Sequence, residues 1–164
     1  MTKMYKEKME DSSMKTLHKI YFKPAQDMHE IPDESVHLMV SSPPYPMIEI
    51  WDEILSSQNE LLNKDVLNEQ PQEAFRIMND ELNRVWKEVY RVLIPGGIAC
   101  INIGDATRTI SKNFQLFPSH AEIINYCRTL GFVSLPGVIW RKPTNSPNKF
   151  MGSGMLPPNA YITL

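Results

Sequence analysis

The segment Ser42-Pro43-Pro44-Tyr45 places a hydroxyl, two rigid rings and an aromatic face within four residues. The Ser42 hydroxyl and the Pro43 carbonyl can both accept hydrogen bonds, and proline has no N–H that would repel an amine. Two such acceptors can draw on both hydrogens of a planar aromatic amine, whose lone pair is otherwise delocalised into its ring. Tyr45 offers a face on which an extruded base can stack. The segment is therefore predicted to bind and activate an aromatic amino group.

The residues around this segment predict a loop at the end of a strand. Residues 36–40 (VHLMV) form a short apolar run bounded by turn residues, which is typical of a buried parallel strand. Three prolines within residues 43–46 then exclude both a helix and a strand ladder. We therefore expect the loop to follow the carboxyl end of a strand directly.

The rest of the chain alternates between strand and helix patterns. Strands are predicted over residues 18–22, 98–103 and 132–140, the last interrupted by Pro136-Gly137, and a further strand begins near residue 160. A helix is predicted to begin at Glu73, to present one apolar stripe and to end at Pro95-Gly96-Gly97. A second helix is predicted to begin with the capping-box spacing of residues 119–122 and to end at Gly131. This alternation predicts an α/β fold, a mostly parallel sheet with helices on both faces.

In such sheets ligands bind beyond the carboxyl ends of the strands. The Pro-rich loop and Asp105, which follows the predicted strand 98–103, would share that rim. Asp105 is thus a secondary candidate that would orient a substrate or cofactor, the alternative being an Asp that only forms a turn.

The charge is distributed unevenly along the chain, although the net charge is only −2. Residues 106–164 carry six basic residues against one acidic residue, or +5, so residues 1–105 carry −7. A basic second half fits a protein that touches phosphate with one face, and ordinary solvated charge is the alternative. The candidates for DNA contact are Arg108, Lys112, Arg141, Lys142 and Lys149.

Nothing in the sequence predicts a metal site, a disulfide or a membrane span. Cys100 and Cys127 each lie in an apolar pattern, without a CxxC motif or a nearby His, and are predicted to be buried thiols in a reducing cytoplasm. No apolar run approaches the roughly 18 residues that span a membrane. Residues 1–15 have no apolar core of a signal peptide and are expected to be a flexible tail before a single domain over 16–164.

Three stretches in this order resemble the DNA amino-methyltransferases. They are residues 31–45 (IPDESVHLMVSSPPY), 93–106 (LIPGGIACINIGDA) and 132–147 (FVSLPGVIWRKPTNSP). The resemblance covers about residues 18–150 and is closest to members that carry SPPY rather than DPPY. The early position of the catalytic motif resembles the circularly permuted subgroup, in which the cofactor motif comes last.

This resemblance implies a Rossmann-like fold, S-adenosylmethionine as the methyl donor and a cytosine flipped from duplex DNA as the acceptor. It assigns Ser42, Pro43, Pro44 and Tyr45 as catalytic residues and implies direct transfer to N4. Adenine N6 is the alternative acceptor, because the link between Ser and cytosine has exceptions. A glutamine-modifying methylase with a related loop is a weaker alternative. Methylation at C5 would need a positioned thiolate, which neither cysteine supplies.

The chain departs from the family pattern where the cofactor should bind. Lys23-Pro24 stands where the family has Gly-Asp, leaving Asp27 as a weak cofactor candidate. Gly152 and Gly154 match the family's F-x-G-x-G motif, but no strand precedes them and Pro157-Pro158 prevents a helix after them. We therefore expect a target-side loop there. The sequence is interpreted as a catalytic half that a complementary polypeptide with the F-x-G-x-G segment would complete, the alternative being a non-catalytic DNA-binding fragment or split subunit.

Overall fold

The computed structural model describes residues 16–141 and 159–163, with the side chains of Arg141 and of 159–163 left undescribed. The predicted tail, Lys142, Lys149, Gly152 and Gly154 lie outside the described residues. Within the described part of the chain, no helix is both long enough and apolar enough to cross a membrane.

Six strands and four α-helices make up the described structure. The strands are β1 (Val36–Ser41), β2 (Leu93–Ile103), β3 (Ala106–Ile110), β4 (Asn113–Phe117), β5 (Gly137–Arg141) and β6 (Asn159–Thr163). The helices are α1 (Asp52–Gln58), α2 (Lys64–Glu69), α3 (Pro71–Val92) and α4 (Ser119–Leu130), with a 3₁₀ turn at Glu49–Trp51 before α1.

The main sheet has the strand order β1-β2-β6-β5, and β3 and β4 form a separate hairpin. The pair β1–β2 is parallel, with Val40 opposite Cys100 and Ser41 opposite Ile101. The pairs β2–β6 and β5–β6 are antiparallel. The predicted α/β alternation is confirmed, but the expected predominance of parallel pairs is not seen in the described sheet.

Helix α3 connects two apolar clusters, because its sequence keeps an apolar stripe over six turns. Its first half packs with α1, α2 and the hairpin, around Phe75 and Met78. Its second half packs on β2 and α4 through Leu82, Trp86 and Val89. Each of these five side chains is at most 6% exposed, which confirms the predicted stripe.

Only one face of the main sheet is covered by helices in the described residues. On β2, Ile101 and Ile103 are buried beneath α3 and α4. Leu38 and Val40 of β1 point to the opposite face, where they are 57% and 70% exposed. The predicted second layer of helices is therefore not seen among residues 16–141 and 159–163.

Several predicted elements differ from the observed ones. Residues 18–22 form no strand, and Phe22 is 96% exposed, so nothing in the described structure offers this segment a paired edge. Pro95-Gly96-Gly97 does not end α3, which stops at Val92. It forms an irregular stretch within β2, where the register against β1 shifts.

The start of α4 and the pairing of the last strand were compared with the prediction in the same way. Ser119 was predicted as a helix cap but is the first residue of α4, and its hydroxyl is buried without a hydrogen bond in the described structure. The strand that was expected to begin near residue 160 is β6, which lies between β2 and β5 and pairs antiparallel with both.

Arg91 fixes the approach to β1. Its guanidinium donates to the carbonyl oxygens of Met28 and Ile31, both at 3.0 Å, and pairs with Asp33 and Glu88. The Arg91 carbonyl in turn accepts a hydrogen bond from Glu34. The chain before β1 is thereby held against the end of α3.

Gly131 ends α4 in the left-handed conformation, at φ 112°, and a Cβ there would lie 2.6 Å from the Tyr90 hydroxyl. We expect Gly131→Ala to lower the free energy of unfolding by at least about 1–2 kcal/mol, because strain and contact add. Gly137→Ala is the matched control, since a Cβ there meets nothing within 4 Å. Urea unfolding of both variants tests this, and an equal loss of stability in the two would contradict it.

Candidate active site

The Pro-rich loop leaves the carboxyl end of β1 at the rim that it shares with β2. Because Ser41 pairs with Ile101, the next residues along the two parallel strands, Ser42 and Asn102, lie side by side. Ser42 is exposed, Pro43 and Pro46 are buried, and Tyr45 is half-buried. The prediction of a loop directly after a strand is confirmed.

A tight turn sets the position of Tyr45. The Ile48 amide donates to the Tyr45 carbonyl at 3.2 Å, with Pro46 and Met47 as the two central residues. Met47 has φ 63°, which is the conformation that a type II turn requires at its second central position and that glycine usually supplies. Met47 is nevertheless 1% exposed, and its amide contacts the Met78 sulfur at 3.2 Å. Burial of the side chain thus holds a strained backbone in place.

Three polar side chains meet at the loop. The Ser42 hydroxyl lies 3.4 Å from the Tyr45 hydroxyl, and the Asn102 amide nitrogen lies 3.5 Å from the Ser42 hydroxyl. Both donor–acceptor distances are long for hydrogen bonds, so these contacts are weak. Among the described residues, no donor reaches the Pro43 carbonyl. The Ser42 hydroxyl is thus held by two weak contacts on an exposed residue, and its predicted role and that of the Pro43 carbonyl toward an amine stay predictions.

Asp105 follows β2 at the same rim and contacts the start of α4. Its carboxylate lies 2.7 and 2.8 Å from His120 Nδ1 and accepts from the His120 amide at 3.2 Å. It therefore satisfies an amide of the first turn of α4, a role that the Ser119 side chain does not fill. This contact gives Asp105 a structural role, and its predicted role toward a ligand stays a prediction.

Comparison with known proteins identifies the family of this chain. The family model described as a DNA methylase of the N6_N4 type matches residues 36–161. The chain belongs to the N6_N4 DNA methylase family. It is 55% identical over 160 residues to the type II methyltransferase M.MjaI of Methanocaldococcus jannaschii, a match that covers 91% of this chain and 53% of that protein. It is 52% identical over 151 residues to M.MthZI of Methanothermobacter thermautotrophicus, covering 92% of this chain and 42% of that protein.

A solved structure shares the fold of this methylase chain. The protein TTHA0409 of Thermus thermophilus, complexed with S-adenosyl-L-methionine, matches with 36% identity and a TM-score of 0.59. The match covers 82% of this chain and 48% of that one. The predicted methyltransferase fold and family resemblance are thus confirmed. The chain spans about half the length of the curated relatives that it matches.

The cofactor candidate Asp27 belongs to a charged cluster of the methylase chain. Its carboxylate contacts His29 Nδ1 at 2.9 Å and Lys23 Nζ at 3.1 Å, and Lys23 also pairs with Glu30 at 2.9 Å. The hydrogen bond from His29, with help from Lys23, lowers the pKa of Asp27 to about 2. Asp27 is therefore already engaged by Lys23 and His29 of this chain, and its binding to a cofactor stays a prediction.

The described candidates for DNA contact differ in exposure and in whether their charge is paired within the chain. Arg108 is an internal residue whose guanidinium lies 2.6 Å from Asp52, and the two side chains are only 19% and 18% exposed. Burial raises the pKa of Asp52, an effect that the Arg108 charge opposes. Lys112 is exposed at the turn between β3 and β4, and Arg141 ends β5. Contact of these residues with DNA stays a prediction.

Both cysteines lie outside the Pro-rich loop. Cys127 is on α4, and burial raises the pKa of its thiol to about 11, so it is protonated at neutral pH. Cys100 lies within β2, opposite Val40. Attack on a cytosine ring requires a positioned thiolate, and neither cysteine lies in the Pro-rich loop.

Strain in the Met47 backbone can be measured by comparing the stabilities of an Ala and a Gly variant, because the order of the two should be the reverse of that in ordinary extended backbone. Met47→Ala and Met47→Gly both remove the buried side chain, at about 2–5 kcal/mol. We expect the Gly variant to be more stable than the Ala variant by about 1 kcal/mol, because only glycine adopts a positive φ without cost.

Met39, in the extended backbone of β1, is the matched control, where Gly should be the less stable of the two by about 0.5–1 kcal/mol. Urea unfolding of the four variants gives the comparison. An Ala variant at least as stable as the Gly variant at position 47 would show that the backbone there is not strained.

Proposed function

We propose that this chain carries the amine-binding loop of a site-specific DNA methyltransferase that modifies the N4 nitrogen of cytosine. The observation that supports the proposal is the rim of β1 and β2, where the Ser42 hydroxyl contacts the Tyr45 hydroxyl and the Asn102 amide. The relatives M.MjaI and M.MthZI are type II methyltransferases. A cytoplasmic location, where chromosomal DNA lies, is part of the same proposal.

The loop residues divide the work of holding a flipped cytosine. Ser42 accepts one hydrogen of the N4 amine, and the Pro43 carbonyl accepts the other. This pairing orients the nitrogen so that its lone pair points away from both acceptors. The Tyr45 ring supplies a stacking face, at the position that the strained turn fixes. Since a hydroxyl accepts less strongly than a carboxylate, the rest of the loop must position the amine well.

S-Adenosylmethionine is the methyl donor in this proposal, as it is the ligand of the TTHA0409 structure. When bound, it would supply an electrophilic methyl group to the N4 nitrogen; the sulfur–methyl bond would break to leave a neutral thioether, and the amine would release one proton to solvent. The described residues fit the amine side of this reaction only. Asp27 is engaged with Lys23 and His29, and Gly152 and Gly154 lie outside the described residues. We therefore propose that a polypeptide carrying an F-x-G-x-G segment completes cofactor binding.

Ser42 gives the sharpest test. We expect Ser42→Ala to lower turnover by roughly one to two decades, as a buried hydrogen bond to the substrate is lost. DNA affinity should change little, because the flipped base is the only part of the DNA that the hydroxyl would contact. The assay combines the chain with the part of M.MjaI that it does not match, and measures methyl transfer and DNA binding separately.

Ser41→Ala is the matched control, because Ser41 pairs with Ile101 inside the sheet and lies outside the loop. A Ser42→Ala variant with full turnover would refute the catalytic assignment. DNA binding without methyl transfer by the wild-type combination would instead support the alternative of a non-catalytic DNA-binding fragment.

A further inference from the structure

Asn102 is a polar residue at the active rim whose role is not evident from local sequence patterns. It lies on β2, one residue beyond the last parallel pair with β1, and its amide nitrogen is 3.5 Å from the Ser42 hydroxyl. Its own carbonyl oxygen, Oδ1, is buried and has no hydrogen-bond partner in the described structure. A buried acceptor without a partner is unfavourable, and such groups concentrate where function requires them.

The hydroxyl of Ser42 must be prepared if it is to accept a hydrogen bond. A serine hydroxyl has one hydrogen and two lone pairs, and its hydrogen rotates to suit its neighbours. If that hydrogen pointed at the amine, it would repel the hydrogens that it should receive. An acceptor is therefore effective only when the hydrogen is directed elsewhere.

We propose that Asn102 is a positioning residue that keeps Ser42 in the accepting state. The Asn102 amide donates to one lone pair of the Ser42 hydroxyl, and the Ser42 hydrogen points to the Tyr45 hydroxyl, 3.4 Å away. The second lone pair then remains for the N4 amine. This inference rests on the proposed function for its chemical meaning, but the contact itself is a property of the chain alone.

The first measurement follows the side chains without any activity. In the 164-residue chain, NMR couplings report the χ1 angle of Ser42, and we expect one dominant rotamer in the wild type. Asn102→Leu removes the donor at similar volume and should leave Ser42 averaging over rotamers, as should Asn102→Ala. Cys100→Ala, two residues earlier on the same face of β2, is the matched control and should leave Ser42 unchanged. An unchanged Ser42 rotamer in both Asn102 variants would overturn the inference.

The second measurement is a double-mutant cycle in the reconstituted enzyme. We expect Asn102→Leu alone to lower kcat roughly two- to tenfold with little change in KM, the effect of one modest hydrogen bond. In the Ser42→Ala background the same substitution should have no further effect, because Asn102 acts through Ser42. An equal loss in both backgrounds would show a merely structural role and overturn the inference. An inactive wild-type enzyme with an Asn102-dependent Ser42 rotamer would refute the proposed function while leaving the positioning contact intact.

Discussion

The parallel pairing of β1 with β2 is the constraint on which the candidate site depends. The two strands are separated by more than 50 residues of loop and helix, yet Ser41 lies opposite Ile101. Because parallel strands end at the same rim, this register brings the Pro-rich loop beside Asn102 and near Asp105. A shift of one residue would exchange the faces of the sheet and separate Ser42 from Asn102. Helix α3 and Arg91 maintain the register, since they tie the approach to β1 to the start of β2.

Side-chain packing against α3 also holds the Pro-rich loop in position. Met47, a central residue of the turn that begins at Tyr45, is buried in the cluster around Phe75 and Met78. The same helix, α3, supports β2 through Leu82 and Trp86. One rigid helix therefore supports both halves of the rim, the loop through its first turns and the strand through its last turns. This arrangement suits a site whose acceptors must be held in place before the amine arrives.

The sequence predicted those features that local patterns determine. Prolines after an apolar run could form only a loop, and the stripe from Phe75 to Val89 could form only an amphipathic helix. The hairpin β3–β4 was not predicted, because its turn residues Ser111 and Lys112 adopt positive φ without the usual Gly or Asn. The contacts of Ser42 with Asn102 and of Asp105 with His120 were not predicted either. They depend on the tertiary register, and an Asn inside a strand gives no local signal of its partner.

The identity of the methylated base tests the account most directly. DNA modified by the reconstituted enzyme can be digested to nucleosides and separated by retention and mass. A loop whose acceptors are a serine hydroxyl and a proline carbonyl, without a positioned thiolate, predicts N4-methylcytosine. N6-Methyladenine as the only product would contradict the assignment of cytosine, and C5-methylcytosine would contradict the amine chemistry on which the site is built.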